Sequence, residues 1–256
     1  MRPDLPSLLA DLQAEQADLR ALATRGALDA PTPAAGWDVR DAVSHLWGSD
    51  REATKAAREP SRFVAELAGL ALDIDGFLTG QLAEGRELGA GLLPRWQTDF
   101  DRMIVALGEL DPSVRVPWYG PPMSPSSFVT ARLMEYWAHG QDVADGLGAT
   151  RAPTARLRHI CHLGVRTYRF AYAIRGLEVP GEVPRVRLLA PDGSTWQWGS
   201  GDDAVEGTAV DFCLRVTQRR HRDNTGLLAT GPRADAWLDL AQCFAGPPGP
   251  GRARTG

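Results

Sequence analysis

The stretch ARLMEYWAHGQDVADG, residues 131–146, sets Glu135 and His139 four positions apart. On a helix such a pair points the same way, so one carboxylate and one imidazole can share an ion. Spacing alone is equally the pattern of a solvated charge pair, which is the commoner occurrence. A second segment, GWDVRDAVSHLWGSD, shifts the balance by placing His45 between Val43 and Leu46-Trp47, on a helix side that should face a core. A lone core histidine is usually just hydrogen-bonded. Here Asp41 stands one turn earlier, able to take the N–H of His45 and set its tautomer, as carboxylates do behind metal-bound imidazoles. Two imidazoles and one carboxylate suit zinc or another divalent ion and leave a fourth coordination position open. Trp47 and Trp137, among the tryptophans clustered in this part with Trp37 and Trp118, are the candidates to wall such a site and keep it dry.

Other candidates carry less. RHICHLG brings His159 and His162 around Cys161, but no partner ligands stand at a matching spacing, and the residues read as the polar side of a helix. His221 lies in a basic stretch and reads as solvated. GSGDDAVEG follows no strand–GxGxxG–helix pattern and reads as turns, not as a nucleotide cradle. The chain contains no nucleophile elbow.

The elements that must position His45, Glu135 and His139 are helical. Leu5, Leu8, Leu9, Leu12, Leu19 and Leu22 predict an amphipathic helix over 4–24. After the Pro/Gly-rich connection 26–37, Asp38 caps a helix over 39–57, with Asp41 in its first turn where negative charge suits the helix dipole. Residues 62–110 read as one long interrupted helix or two shorter ones, with Gly76, Gly80, Gly85, Gly89 and Gly91 inside them. A proline-dense loop (110–127) leads to a helix over 126–146. Four helical segments predict a bundle, and bundles build metal sites from inward Glu and His on facing helices.

Beyond the bundle a helix is expected over 154–176. Alternating residues around Asp192-Gly193 then predict a hairpin over 184–200. Helices are expected at 207–218 and 233–245, with a strand at 225–230. The fold class is α+β: a metal-binding helix bundle over 1–150, a small α/β domain with its linking helix over 151–246, and a disordered tail over 247–256.

Composition sets the outer limits. The chain has 256 residues, 43% hydrophobic and 23% charged, with a net charge of −4 that gives nucleic acid no basic surface to grip. Cys161, Cys213 and Cys243 form no CxxC pair and no closed disulfide framework, which suits a reducing cytoplasm. The N-terminus lacks the unbroken apolar core of a signal peptide, and no run of ~18 apolar residues occurs. The expectation is a cytoplasmic protein with no membrane or nucleic-acid partner, monomeric or homodimeric, acting on a small molecule.

TPAAGWDVRDAVSHLWGSD and MEYWAHGQDVADGLG resemble the two signature segments of the DinB-like metalloprotein superfamily. The closer resemblance is to its actinobacterial branch, which is similar to mycothiol-dependent maleylpyruvate isomerase. The segment DGSTWQWGSGDDAVEGTAVDFCLRVTQRRH resembles that branch's C-terminal domain, related to sterol-carrier-like folds. The resemblance implies a metal held by His45, Glu135 and His139, with Asp142 behind the last histidine. It further implies mycothiol as cosubstrate and an arginine, Arg219 or Arg220, holding an anionic substrate. On this reading the protein is a zinc-dependent thiol transferase or isomerase acting on a small electrophile. Two alternatives stay open at this point: a thiol-independent, metal-dependent isomerase or cyclase of a biosynthetic pathway, and a metal-bearing binding or stress protein without turnover.

Overall fold

The structure, a computed structural model, describes residues 4–70, 74–249 and 251–254. It divides into two compact units, Met1–Arg151 and Ala152–Gly256.

In the first unit, α1 (Leu5–Arg25) begins where the Asp4 carboxylate accepts the Ser7 amide at 2.8 Å. It buries Leu8, Leu9, Leu12 and Leu19, four of the six leucines whose spacing marks the helix. A reciprocal capping box opens α2 (Val39–Arg58): Asp38 accepts the Asp41 amide at 2.8 Å, and Asp41 accepts the Asp38 amide at 3.1 Å. Residues 62–110 resolve into more pieces than the one or two expected. They hold most of α3 (Pro60–Leu70), then α4 (Ile74–Leu88), a single 3-10 turn and α5 (Leu92–Gly108). Positions 71–73 of that stretch lie outside the described residues. One glycine there has a steric job. A Cβ at Gly85 would fall 1.8 Å from Ser44 Oγ, so α4 can lie against α2 only because Gly85 lacks one. Ser124 caps α6 (Pro125–Gly146), and Pro125 takes its first turn, where no amide partner is lost.

Four of these helices close a ring: α1 packs on α6, α6 on α2, α2 on α5, and α5 back on α1. This is the expected four-helix bundle, with α4 added outside α2. At the ring's centre sits a buried polar cluster. Asp50 of α2, fully buried, pairs with Arg132 of α6 at 2.9 Å, and Arg132 is itself only 3% exposed. The same carboxylate accepts from Tyr136 Oη of α6 and, at 3.2 Å, from Trp96 Nε1 of α5. Burial pushes the Asp50 carboxyl up to about 6, against the pull of Arg132, Tyr136 and Trp96, so it remains ionised at neutral pH.

The second unit opens with helix, as expected, but in two pieces, α7 (Leu157–Arg166) and α8 (Tyr168–Ala173). The break falls at Thr167, whose hydroxyl donates back to the Leu163 and Gly164 carbonyls at 3.0 Å. A four-stranded sheet follows in the order β2-β1-β3-β4, from β1 (Arg185–Leu189), β2 (Thr195–Trp198), β3 (Ala204–Thr208) and β4 (Leu228–Thr230). The β1–β2 hairpin turns at Asp192-Gly193, with Gly193 at φ +82° and Asp192 accepting the Ser194 amide at 3.0 Å. Strand β3 overturns the reading of GSGDDAVEG as turns only. Ala204 and Val205 are its only buried residues, too few to show alternation. Its strand character comes from pairing parallel to β1 and antiparallel to β4, which local sequence does not display.

Helix α9 (Ala209–Val216) ends with Gln218 in the left-handed region at φ 59°, and the Arg219 amide reaches back to the Leu214 carbonyl at 2.8 Å. The buried Arg215 donates to the Leu238 and Asp239 carbonyls, capping the end of α10 (Pro232–Leu240); burial lowers its pKa to about 10. Tail residues 247–249 and 251–254 form neither helix nor strand, and the Gly249 carbonyl accepts from Arg175 at 3.3 Å. Tail positions 250, 255 and 256 lie outside the described residues. Among the described residues, no helix is long and apolar enough to cross a membrane.

The cluster at the ring's centre yields a stability prediction. Asp50→Ala strands the buried Arg132 guanidinium and is expected to cost about 3–5 kcal/mol. Urea unfolding followed by far-UV circular dichroism measures it. A loss under about 1 kcal/mol would mean that the ion pair is not what holds α2 against α6.

Candidate functional site

Helices α2 and α6 carry the three candidate donors. His45 lies in the second turn of α2, past the capping box; Glu135 and His139 lie one turn apart on α6. One ligand atom from each residue falls in a group in which all are within 4.8 Å of one another. His139 is buried, His45 and Glu135 partly so. The two imidazole centroids are 5.0 Å apart.

His139 stands between two carboxylates. Its Nε2 is 3.5 Å from Glu135 Oε2, and its Nδ1 is 3.5 Å from Asp142 Oδ2. Asp142 is fully buried, so its carboxylate acts on Nδ1 with little screening from water. At Glu135, burial pushes the carboxyl up. The hydrogen bond and charge of His139 overcome that push, His45 and Arg132 add to it, and the pKa settles at about 2. Glu135 is therefore a carboxylate at any physiological pH, the form a metal requires.

The donor set fits a divalent ion. Tetrahedral zinc with bonds of ~2.1 Å spaces its ligand atoms roughly 3.4 Å apart. Atoms spread over at most 4.8 Å reach that spacing by small side-chain rotations. Three protein donors leave one position for a further ligand.

The other sequence-derived residues fall as follows. Asp41 Oδ2 accepts the Asp38 amide and the Arg86 guanidinium, the latter at 2.6 Å, so this oxygen serves the start of α2 and its tie to α4. Trp47 donates its indole N–H to Asp99 at 2.9 Å and lies under Arg51. Trp137 lies under Arg151, which also ion-pairs with Glu15 and donates to the Trp137 carbonyl at 2.9 Å. In the second unit, Arg219 Nη1 donates to the Thr217 carbonyl and Arg220 Nη1 to the Arg219 carbonyl, each at 2.8 Å. His159 and His162 lie on the half-buried and exposed sides of α7, and His221 Nδ1 accepts the Asp223 amide at 3.2 Å.

One indole that touches both imidazoles is that of Trp37. It stacks on His139 with centroids 5.8 Å apart and planes at 17°, and it meets His45 at 5.3 Å. The sequence marks it only as one of the bundle's tryptophans; its place directly before the Asp38 cap of the histidine-bearing helix is the signal that could have singled it out. Arg132, one turn before Glu135 and Tyr136, and Asp50, five residues past His45, carried a similar unused signal.

Comparisons with known proteins show the family and the fold. Residues 9–144 match the family model described as the mycothiol maleylpyruvate isomerase N-terminal domain, a span that contains His45, Glu135 and His139. Uncharacterized proteins from two strains of Mycobacterium tuberculosis are 43% identical over 250 residues, covering 95% of this chain and 97% of theirs. The crystal structure of a mycothiol-dependent maleylpyruvate isomerase, and that of a histidine-to-alanine mutant of it, superpose with a TM-score of 0.59 at 16% identity. Each match covers 90% of this chain and 96% of the other, which establishes a shared fold. The chain belongs to the family defined by the mycothiol maleylpyruvate isomerase N-terminal domain.

Proposed function

We propose that this protein is an enzyme that uses a divalent metal, zinc first among them, and mycothiol to transform a small electrophile, as a thiol-dependent isomerase or S-transferase. One observation carries the reading: His45, Glu135 and His139 gather their donor atoms within 4.8 Å, inside the segment that matches the family. The name of the structural neighbours supports the thiol and the isomerisation. The same reading makes the protein cytoplasmic, monomeric or homodimeric, with a small molecule as substrate.

His45, Glu135 and His139 are the proposed ligands, and the Asp142 carboxylate, 3.5 Å from His139 Nδ1, favours the tautomer that leaves Nε2 for the metal. When bound, the ion would supply a Lewis acid that favours thiolate over thiol and polarises a carbonyl. In an isomerisation the sulfur forms a bond to one alkene carbon of a conjugated substrate while an electron pair moves toward the carbonyl. The former double bond then rotates as a single bond. Return of the pair expels the sulfur, so the thiol is regenerated and the substrate is changed only in geometry. Arg219 or Arg220 is the proposed anchor for an anionic substrate, because a guanidinium pairs with a carboxylate through two charge-assisted hydrogen bonds.

Three predictions test this reading. Purified protein dialysed against a weak chelator should retain about one divalent ion per chain by elemental analysis. His45→Ala should lose most of it and His159→Ala almost none; equal retention in the two would sink the ligand assignment. Asp142→Asn should weaken metal binding by roughly 10- to 100-fold in a competition titration while leaving the circular dichroism spectrum unchanged. An unaltered affinity would make Asp142 a bystander. Finally, replacing Arg219 or Arg220 with Ala should leave metal content intact. One of the two should lower kcat/KM for an anionic substrate by about 2–5 kcal/mol of transition-state stabilisation. If neither variant changes the kinetics, the anchor lies elsewhere.

A further inference from the structure

We propose that Trp37 is a specificity-determining residue of the metal site, a fixed aromatic wall that favours ligands carrying a planar π group beside the atom the metal takes. The inference rests on the metal reading above and adds to it the class of ligand that the site prefers.

Three rings form a closed triangle. Centroids of His45 and His139 lie 5.0 Å apart, and the Trp37 indole lies 5.3 Å from the first and 5.8 Å from the second. An ion shared by the two imidazoles therefore has the indole as a neighbour, and so does whatever occupies its remaining position on that side. Trp47, Trp96 and Trp137 of the same unit are buried, whereas Trp37, like Trp118, is only half-buried. A tryptophan kept for packing alone gains most by full burial; this one keeps part of its surface open while it touches two proposed ligands.

The wall is also held before any ligand arrives. The Trp37 carbonyl accepts from both the amide and the hydroxyl of Thr32 at 2.9 Å, and the Trp37 amide donates to the Ala34 carbonyl at 3.0 Å. A β-bridge joins Pro31 to Asp38 on either side, and Gly36 makes the turn between them at φ +78°, a conformation that suits glycine. The loop rests on the end of α6 because Gly146 is there: a Cβ at that position would fall 2.6 Å from the Pro31 carbonyl oxygen. Backbone bonds thus position the indole. An aromatic ligand group meets a surface that needs no reordering, and aromatic pairs are worth about 0.5–1.5 kcal/mol beyond area burial, roughly 2- to 10-fold in affinity.

The test uses the full chain loaded with cobalt(II), whose absorption reports binding of a thiol. Benzyl mercaptan and ethanethiol are titrated into the wild type, Trp37→Phe and Trp37→Leu. The wild type should prefer benzyl mercaptan. Trp37→Leu keeps apolar bulk but removes the π face, and it should reduce that preference by roughly 2- to 10-fold. Trp37→Phe should retain it within about 2-fold. Equal loss of both thiols in Trp37→Leu, an unchanged ratio, or a Trp37→Phe variant as impaired as Trp37→Leu each overturns the proposal while leaving the metal reading intact. Failure of the wild type to take up cobalt overturns the metal reading and this proposal with it.

Discussion

The alignment of the two helices that carry the proposed donors depends on one buried ion pair, Asp50 with Arg132. Two helices carry the proposed donors, and apolar packing alone lets neighbouring helices slide by fractions of a turn at modest cost. A carboxylate and a guanidinium without water cannot slide, because separation would leave each charge unpaid in a low-dielectric interior. Asp50 lies five residues past His45 on α2, and Arg132 one turn before Glu135 on α6, so the pair sets the register of the two donor-bearing segments. Tyr136 and Trp96 satisfy the other oxygen of Asp50 and bring α5 into the same arrangement.

That cluster and the donor group divide the polar interior between them. In one, burial dominates and raises Asp50; in the other, the charges and hydrogen bonds of the histidines dominate and depress Glu135. Arg132 acts on both carboxylates. It pairs directly with Asp50, and its effect on Glu135 is smaller than that of the histidines. The result is a carboxylate that is ionised before any metal arrives, next to an imidazole whose other nitrogen already faces Asp142. Such a site is prepared by its neighbours, and its preparation belongs to α6 as much as to the three donors themselves.

The second unit is built on a different principle. Its sheet closes through non-local pairing of β3 between β1 and β4, and one buried guanidinium, Arg215, ties α9 to the end of α10 through carbonyl oxygens instead of a carboxylate. Burial lowers the pKa of Arg215 to about 10, and the side chain stays charged at neutral pH. Cys161 and Cys213 meet between α7 and α9 with their sulfurs 3.5 Å apart, both buried, and serve there as small packing groups.

By itself the sequence determined the helices of the bundle, the Asp38 cap, the hairpin at Asp192-Gly193 and the identity of His45, Glu135 and His139 as a candidate donor set. Apart from the grouping of His45 with the other two, which joins separate segments, these are local: leucine periodicity, a capping side chain, a turn glycine and an i,i+4 spacing are written within a few residues of each other. The tertiary structure decided where α4, within 62–110, packs, since Gly85 lies against Ser44 on a helix some forty residues away. It decided that GSGDDAVEG contains a strand, because two other strands supply its hydrogen bonds. It also decided that the Trp37 indole lies against both imidazoles. Tryptophans look alike along a chain, and only the path of the 31–38 loop across the end of α6 distinguishes the one that faces the histidines.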